Sequence, residues 1–342
     1  MRLPAEWEPQ TELLLIWPHA QTDWAPRLAA VERLYQQLIA QVTQAQPVCI
    51  VCADTEVQER AAHQLAPLLN QGAPLRWALA ASNDTWMRDC GPLTVLDAQG
   101  AAQLVDFRFN GWGGKYRADD DDQLCQRLHD AGVFGDQPLI RSTLVAEGGA
   151  LDTDGQGTLL VMERTLLDPN RNPGWSMADI ERECQRVLGI ERILWLTAGH
   201  LEGDDTDGHI DTLARFCDPQ TIVYASTEPA DSDAPALNAM RDQLQQLRQP
   251  NGAPYRLLAV PQPAPIIAVD GARLPATYLN FVLVNGALIV PTYDDPKDAT
   301  ACSILATAFP DRQLWTVDAR VAIEQGGSLH CLTMHRSAGL EH

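Results

Sequence analysis

Short apolar runs alternate with amphipathic stretches of helical spacing along the whole of this chain. This alternation constrains the fold more than any single motif, because strands and helices mixed at this grain belong to an α/β protein. The strand-like runs are "PVCIVCA", "GPLTVLD", "GTLLVME", "RILWLT", "TIVYAS", "NFVLVNGALIVPTY" and "QLWTVD". Helical periodicity lies at 27–44, 122–132, 177–189, 235–249 and 298–310, with Gly or Pro closing several of these stretches. Asn285-Gly286 between two apolar runs signals a hairpin. Hairpin-plus-helix units strung along an uninterrupted chain suit a circular arrangement of small αβ units better than a doubly wound sheet. No linker divides the sequence, so residues 1–339 read as one domain, and "LEH" at 340–342 reads as a vector-derived tag. The Pro-rich stretch 261–277 reads as a long surface loop.

Charge and cysteine usage narrow the partners. A net charge of −20 argues against nucleic acid and anionic membranes, and leans toward cationic ligands. The apolar run Leu13 to Trp17 follows acidic residues and precedes no cleavage site, and nowhere do 18 apolar residues run together. Eight cysteines without a secretion signal read as reduced thiols in the cytoplasm. Cys49 and Cys52 form a CxxC within a strand, where an odd spacing points them to opposite faces, so neither a redox nor a zinc role follows.

The densest polar stretch is "EGDDTDGHID", Glu202 to Asp211, whose carboxylates need a positive partner. Calcium is a poor fit: with Gly208 at the sixth position of an EF-hand loop, Gly203 and Ala214 fall where carboxylates are required. His209 lacks a second histidine four residues away, so the zinc-protease helix is absent as well. Four other polar clusters sit beside glycines at strand ends: "NDTWMRDCGP", "FNGWGGKY", "EGGALD" and "QGGSLHCLT". Such loops carry functional side chains more often than strands do. There is no G-x-S-x-G elbow, no G-x-G-x-x-G and no Walker sequence. Cys331, after a Gly-Gly turn and next to His330, is the candidate nucleophile.

Taken in order, "NDTWMRDCGP", "FNGWGGKY", "EGGALD", "GDDTDGHIDTLARF" and "GGSLHC", together with "LPAEWEP" and "LDPNRNP", resemble the agmatine deiminases. These belong to the bacterial-type peptidylarginine deiminase-like group of the guanidino-modifying (pentein) superfamily. The resemblance implies a five-bladed α/β propeller of ββαβ units around a central active-site channel. It implies a hydrolase with no cofactor and no metal that converts agmatine to N-carbamoylputrescine and ammonia, on the route from arginine to putrescine. By the family's pattern Cys331 is the nucleophile, His209 the general acid/base, Asp89 and Asp211 the guanidinium-binding carboxylates, and Glu147 the orienter of His209.

The chemistry of the residues agrees with this pattern. A guanidinium is planar, permanently charged and best gripped by carboxylates. His209 and Asp211, two apart, share one side of an extended segment, while Asp89 arrives from a distant loop. Trp86 is the candidate wall for the substrate's methylene chain, with a core tryptophan as the other reading. Asp205 is the candidate further substrate ligand; Asp204 and Asp207 read as caps of local amides, and Trp112 and Lys115 as loop supports. Cys90 beside Asp89, on a strand that would point it away from the carboxylate, and His200 ahead of the acidic stretch depart from the family's usual form. Free arginine and peptidyl-arginine stay open as substrates, and so does a non-catalytic guanidine or polyamine binder. A homodimer is the default assembly.

Overall fold

A helix between two parallel strands, with an antiparallel strand in front, recurs five times in the computed structural model, which describes residues 1–339. Leu93–Leu96 runs antiparallel to Ala102–Arg108, which pairs in parallel with Leu139–Val145 across the helix Leu124–Asp130. The pattern repeats with strands Asp152–Thr153, Thr158–Met162 and Arg192–Leu196 around the helix Met177–Leu188. It returns in Ala214–Asp218, Thr221–Ser226 and Arg256–Pro261 around Ala234–Gln246, and in Val282–Val284, Ala287–Thr292 and Gln313–Asp318 around Asp298–Ala308.

The fifth unit is assembled from both ends of the chain. Thr333–Ser337 lies antiparallel to Gln10–Ile16, which pairs in parallel with Val48–Cys52 across the helix Leu28–Val42, and Leu75–Leu79 adds an edge strand. Five ββαβ units closed by pairing of the terminal strands make the pentein-type ring.

Local chemistry sets the elements. Ser176 and Asp179 form a reciprocal capping box at the start of Met177–Leu188, and Gly189, at φ 70, ends that helix in the left-handed conformation an L side chain avoids. Its buried face, Ile180, Cys184, Val187 and Leu188, packs into the common core, each large side chain contributing about 1.5–3 kcal/mol. Val48–Cys52 and Thr158–Met162 are buried at every position, so both faces of these strands are covered. Cys49 and Cys52 are among those buried residues.

The segment 261–277 departs from a plain loop: Ile266–Ile267 and Arg273–Leu274 pair as a small antiparallel hairpin. The reading of 340–342 lies outside the described residues. No described helix is long and apolar enough to cross a membrane.

One regularity positions everything that follows. The segment entering the first strand of each unit carries polar residues two to five positions before that strand. Asp89 precedes Leu93, Glu147 and Gly149 precede Asp152, His209 and Asp211 precede Ala214, Asn280 precedes Val282, and Cys331 precedes Thr333. Pseudo-fivefold repetition thus delivers one polar contribution per unit to the same central place.

Candidate active site

The entry segments hydrogen-bond to one another around the centre. Asn280 accepts from the Cys331 amide at 3.1 Å and donates through Nδ2 to Asp211 Oδ2 at 3.0 Å. The Arg88 amide donates to the Cys331 carbonyl at 3.1 Å, and the Gly149 amide to Asp89 Oδ1 at 3.2 Å. A β-carbon on Gly149 would stand 2.7 Å from His209 Nδ1, 2.8 Å from Asp89 Oδ1 and 3.2 Å from Asp211 Oδ2, so the bare backbone here is what lets the three side chains converge.

His209 is fully buried between two carboxylates, with Nδ1 3.6 Å from Asp89 Oδ1 and Nε2 3.6 Å from Glu147 Oε2. Burial pushes its pKa down, but Asp89 and Glu147 more than offset this and raise it to about 9, so the ring is an imidazolium at neutral pH. Glu147 is fixed from its other side by Arg171 Nε at 2.8 Å; burial opposes its ionisation, yet His209 and Arg171 hold its pKa below the ordinary value. Asp89 receives the Trp112 indole N–H at 3.0 Å, while burial and the neighbouring Asp211 and Glu147, against His209, leave its pKa at about 6. Asp211 is also buried, but His330 and His209 keep it below the usual carboxylate range.

Cys331 lies 3.7 Å through Sγ from Asp211 Oδ2. Burial, then Asp211 and Asp89, drive its thiol well above the ordinary value, so the resting group is a neutral thiol. Several buried polar atoms face this centre without a protein hydrogen bond: both ring nitrogens of His209, Glu147 Oε2 and Asp211 Oδ1. Unsatisfied buried acceptors on two sides of a cationic ring are what a planar cation with several N–H donors would satisfy.

A narrow cavity opens onto Cys331 and Asp89. Trp86 and Trp112 wall it, Tyr116 and Thr206 continue the lining, and Asp23, Asp84 and Asp205 stand around it with no basic side chain among them. Gly327 exists to admit Trp86: a β-carbon there would lie 2.2 Å from the indole ring. Asp205 accepts from the Tyr116 hydroxyl at 2.7 Å; its pKa is raised, chiefly by burial. Burial, with Asp23 nearby, raises Asp84 to about 6 against the lowering effect of the Thr85 amide.

All seven residues selected from sequence therefore meet at one centre and its cavity, but three local expectations are corrected. His209 and Asp211 do not lie in an extended segment: His209 precedes a 3-10 turn, Ile210–Thr212, that carries Asp211. The turn still aims both inward, because the Thr206 hydroxyl accepts from the His209 amide and the Thr212 hydroxyl donates to its carbonyl. Asp204 does brace local amides, accepting from those of Thr206 and Gly208, whereas Asp207, at φ 68, pairs with Arg171 at 2.6 Å and Lys115 at 2.7 Å. Structural cations thus answer part of the acidic stretch. Cys90 sits in a short helical turn, Met87–Cys90, not a strand, and its thiol donates to the Trp86 carbonyl.

Sequence reasoning missed Arg171, Asn280, His330 and Glu6, and undervalued Trp112. Arg171 and Glu6 stood inside quoted motifs, "LDPNRNP" and "LPAEWEP", and His330 beside the nucleophile; Asn280, a lone asparagine before a strand, carried no signal.

The model of the Porphyromonas-type peptidyl-arginine deiminases matches residues 2–336. An agmatine deiminase of Pseudomonas aeruginosa (strain LESB58) is 33% identical, covering 98% of this chain and 95% of its own. A C. jejuni agmatine deiminase with a cysteine-to-serine change, solved with substrate bound, superposes with a TM-score of 0.91 at 32% identity, over 99% of this chain and 97% of its own. A structure from Porphyromonas gingivalis, provisionally assigned as an arginine deiminase, is 43% identical with a TM-score of 0.91, over 98% of each chain. With the ring, the converging loops and the buried cysteine in place, the chain belongs to the Porphyromonas-type peptidyl-arginine deiminase family.

Proposed function

We propose that this protein is an agmatine deiminase, hydrolysing agmatine to N-carbamoylputrescine and ammonia through a covalent thiouronium intermediate on Cys331. The observation that carries the reading is the cavity above the nucleophile, whose charged lining is acidic throughout, with Asp23, Asp84 and Asp205 and no arginine or lysine. Such a lining suits a substrate cationic at both ends and offers no clamp for an α-carboxylate. The pathway placement and a cytoplasmic location, in keeping with eight free thiols, belong to the same proposal.

The steps follow from the charges. The guanidinium enters between Asp89 and Asp211, whose carboxylates fix its plane and leave the carbon open to sulfur. Its positive charge opposes the two carboxylates that suppress the thiolate, so binding activates the nucleophile. The thiol proton passes to water as sulfur attacks the central carbon, and His209, already an imidazolium, protonates the nitrogen whose bond to carbon breaks as it leaves as ammonia. The S-alkylthiouronium is again a cation, held by the same two aspartates. Neutral His209 then removes a proton from water, whose oxygen attacks the carbon; the carbon–sulfur bond breaks and the ureido product departs. Glu147, tethered by Arg171, keeps the ring oriented throughout.

A colorimetric ureido assay with agmatine, free arginine and a blocked arginyl peptide side by side tests the assignment. Turnover of agmatine in strong preference to the others is expected. Turnover confined to the peptide or to arginine overturns the substrate, and turnover of none points to a binder. Cys331→Ala is expected to abolish turnover while calorimetry still detects agmatine binding.

A further inference from the structure

His330 stands outside the substrate cavity, behind Asp211, in a second internal space that it lines with Glu6, Arg88, Arg215, Asp152 and His335. Its ring bridges two acids: Nδ1 is 2.7 Å from Asp211 Oδ2 and Nε2 is 2.7 Å from Glu6 Oε2. A neutral imidazole donates at one nitrogen only, and an ionised carboxylate only accepts. Glu6 and Asp211 are both held ionised despite burial, Glu6 by His330, Arg215 and Arg88, Asp211 by His330 and His209. Two acceptors at hydrogen-bond distance require a donor at each ring nitrogen.

The other charged groups around the ring leave room for that arrangement. Arg215 donates to Glu6 Oε2 at 2.7 Å and lies 3.7 Å from Asp152, and Arg88 reaches the His330 carbonyl at 3.4 Å and approaches Glu6 at 3.9 Å. Burial drives His335 down to about 3, so it is neutral and adds no competing charge, and the adjoining Cys331 thiol is neutral too. On the far side, Asp211 Oδ2 is saturated by His330, Asn280 and the Cys331 thiol, while Oδ1 is buried with no protein partner.

We infer that His330 is a positioning residue that donates from both ring nitrogens: pinned by Glu6 of the N-terminal segment, it loads one oxygen of Asp211 and reserves the other for the substrate guanidinium. The N-terminal segment thereby becomes part of the site, although it contributes nothing to the cavity. The positioning role rests on the deiminase reading; the two-donor arrangement of the ring does not.

Protein labelled with 15N-histidine, free of substrate, tests the two-donor arrangement by NMR, the His330 signals being those lost in His330→Asn and shifted in Glu6→Gln. Two protonated ring nitrogens are expected; one bare nitrogen overturns the inference whether or not any substrate turns over. For the positioning role, His330→Asn is expected to leave the acid limb of the kcat/KM profile for agmatine at about pH 6, where Asp89 sets it, while weakening the grip of Asp211 on the guanidinium. It is also expected to raise KM roughly tenfold, more than it lowers kcat. Glu6→Gln should raise KM in the same direction by less, and Glu6→Asp should recover part of the loss. A lower kcat with KM unmoved is the mark of a merely structural residue and overturns the role. Should His330→Asn not fold, the Glu6→Gln spectra and kinetics decide the matter alone.

Discussion

Burial pushes the histidine of the centre down and its two aspartates up, but neighbouring charges reverse this for His209 and Asp211 and not for Asp89, and this divides the work among them. Asp89, near 6, must be ionised to hold a guanidinium, and His209, near 9, must be protonated to release ammonia. The kcat/KM profile for agmatine is therefore expected to rise through about pH 6 and fall through about pH 9, with iodoacetamide alkylation of Cys331 in the empty enzyme still climbing above pH 9. A flat profile between 5 and 8, or a thiol that titrates near neutrality without substrate, would contradict that division. Gly149 belongs to the same scale. Gly149→Ala forces a methyl group against His209 and Asp89, and an error of the order of an ångström there costs about 10²-fold in turnover. The expected outcome is that loss in kcat with a circular-dichroism spectrum like the wild type's; near-normal kcat would mean that the loops yield more readily than their hydrogen bonds imply.

At the scale of the element, the loop Asn110 to Tyr116 does more than support its neighbours. Trp112 sits at φ 54, a conformation unfavourable for an L residue with a ring, and is held there by edge-to-face packing against Phe109 and Tyr116. Asn110 caps the Gly113 amide, Trp112 donates to Asp89, and Tyr116 donates to Asp205, so one strained loop fixes an acid at the centre and another at the cavity rim. Trp112→Phe keeps most of the ring packing and removes the N–H. Because that hydrogen bond lowers the Asp89 pKa, its loss should move the acid limb above pH 6 and reduce kcat/KM about tenfold, a cost of roughly 1–2 kcal/mol. An unchanged acid limb would show the indole N–H to be incidental. The motif "FNGWGGKY" was legible as a functional loop from its glycines, but the left-handed tryptophan was not, since nothing in the residue order shows which aromatic will be caught between two others.

For the whole molecule, closure of the ring is the decisive event, because the strand that follows Cys331 is the one that pairs with Gln10–Ile16. Deleting Thr333 onward would expose the edge of a strand whose Leu13, Leu14, Leu15 and Ile16 are fully buried, and would free the nucleophile loop. Loss of cooperative thermal unfolding and of soluble monomeric or dimeric protein on gel filtration is expected; a truncated chain with native spectra would show that the other four units hold without the seam.

The residue order by itself determined the elements that bury one clean face or both. The five long helices and the seven strongest strands follow from apolar spacing, and the helices 177–189 and 298–310 begin where their spacing says they should. It also marked the motifs holding Asp89, Glu147, His209, Asp211 and Cys331, because glycine-flanked polar clusters at strand ends serve no packing purpose. Strands such as Leu75–Leu79 and Leu139–Val145, whose burial is mixed, escaped notice, as did Asn280, Glu6 and the role of Arg171. Their importance lies in partners 24 to 324 residues away, as with Arg171 and Glu147 or Glu6 and His330. Periodicity records what a segment buries, not what it meets. Only the closed ring, which brings five entry segments to one axis, decides which charges are paired, which are left open, and so where a guanidinium would fit.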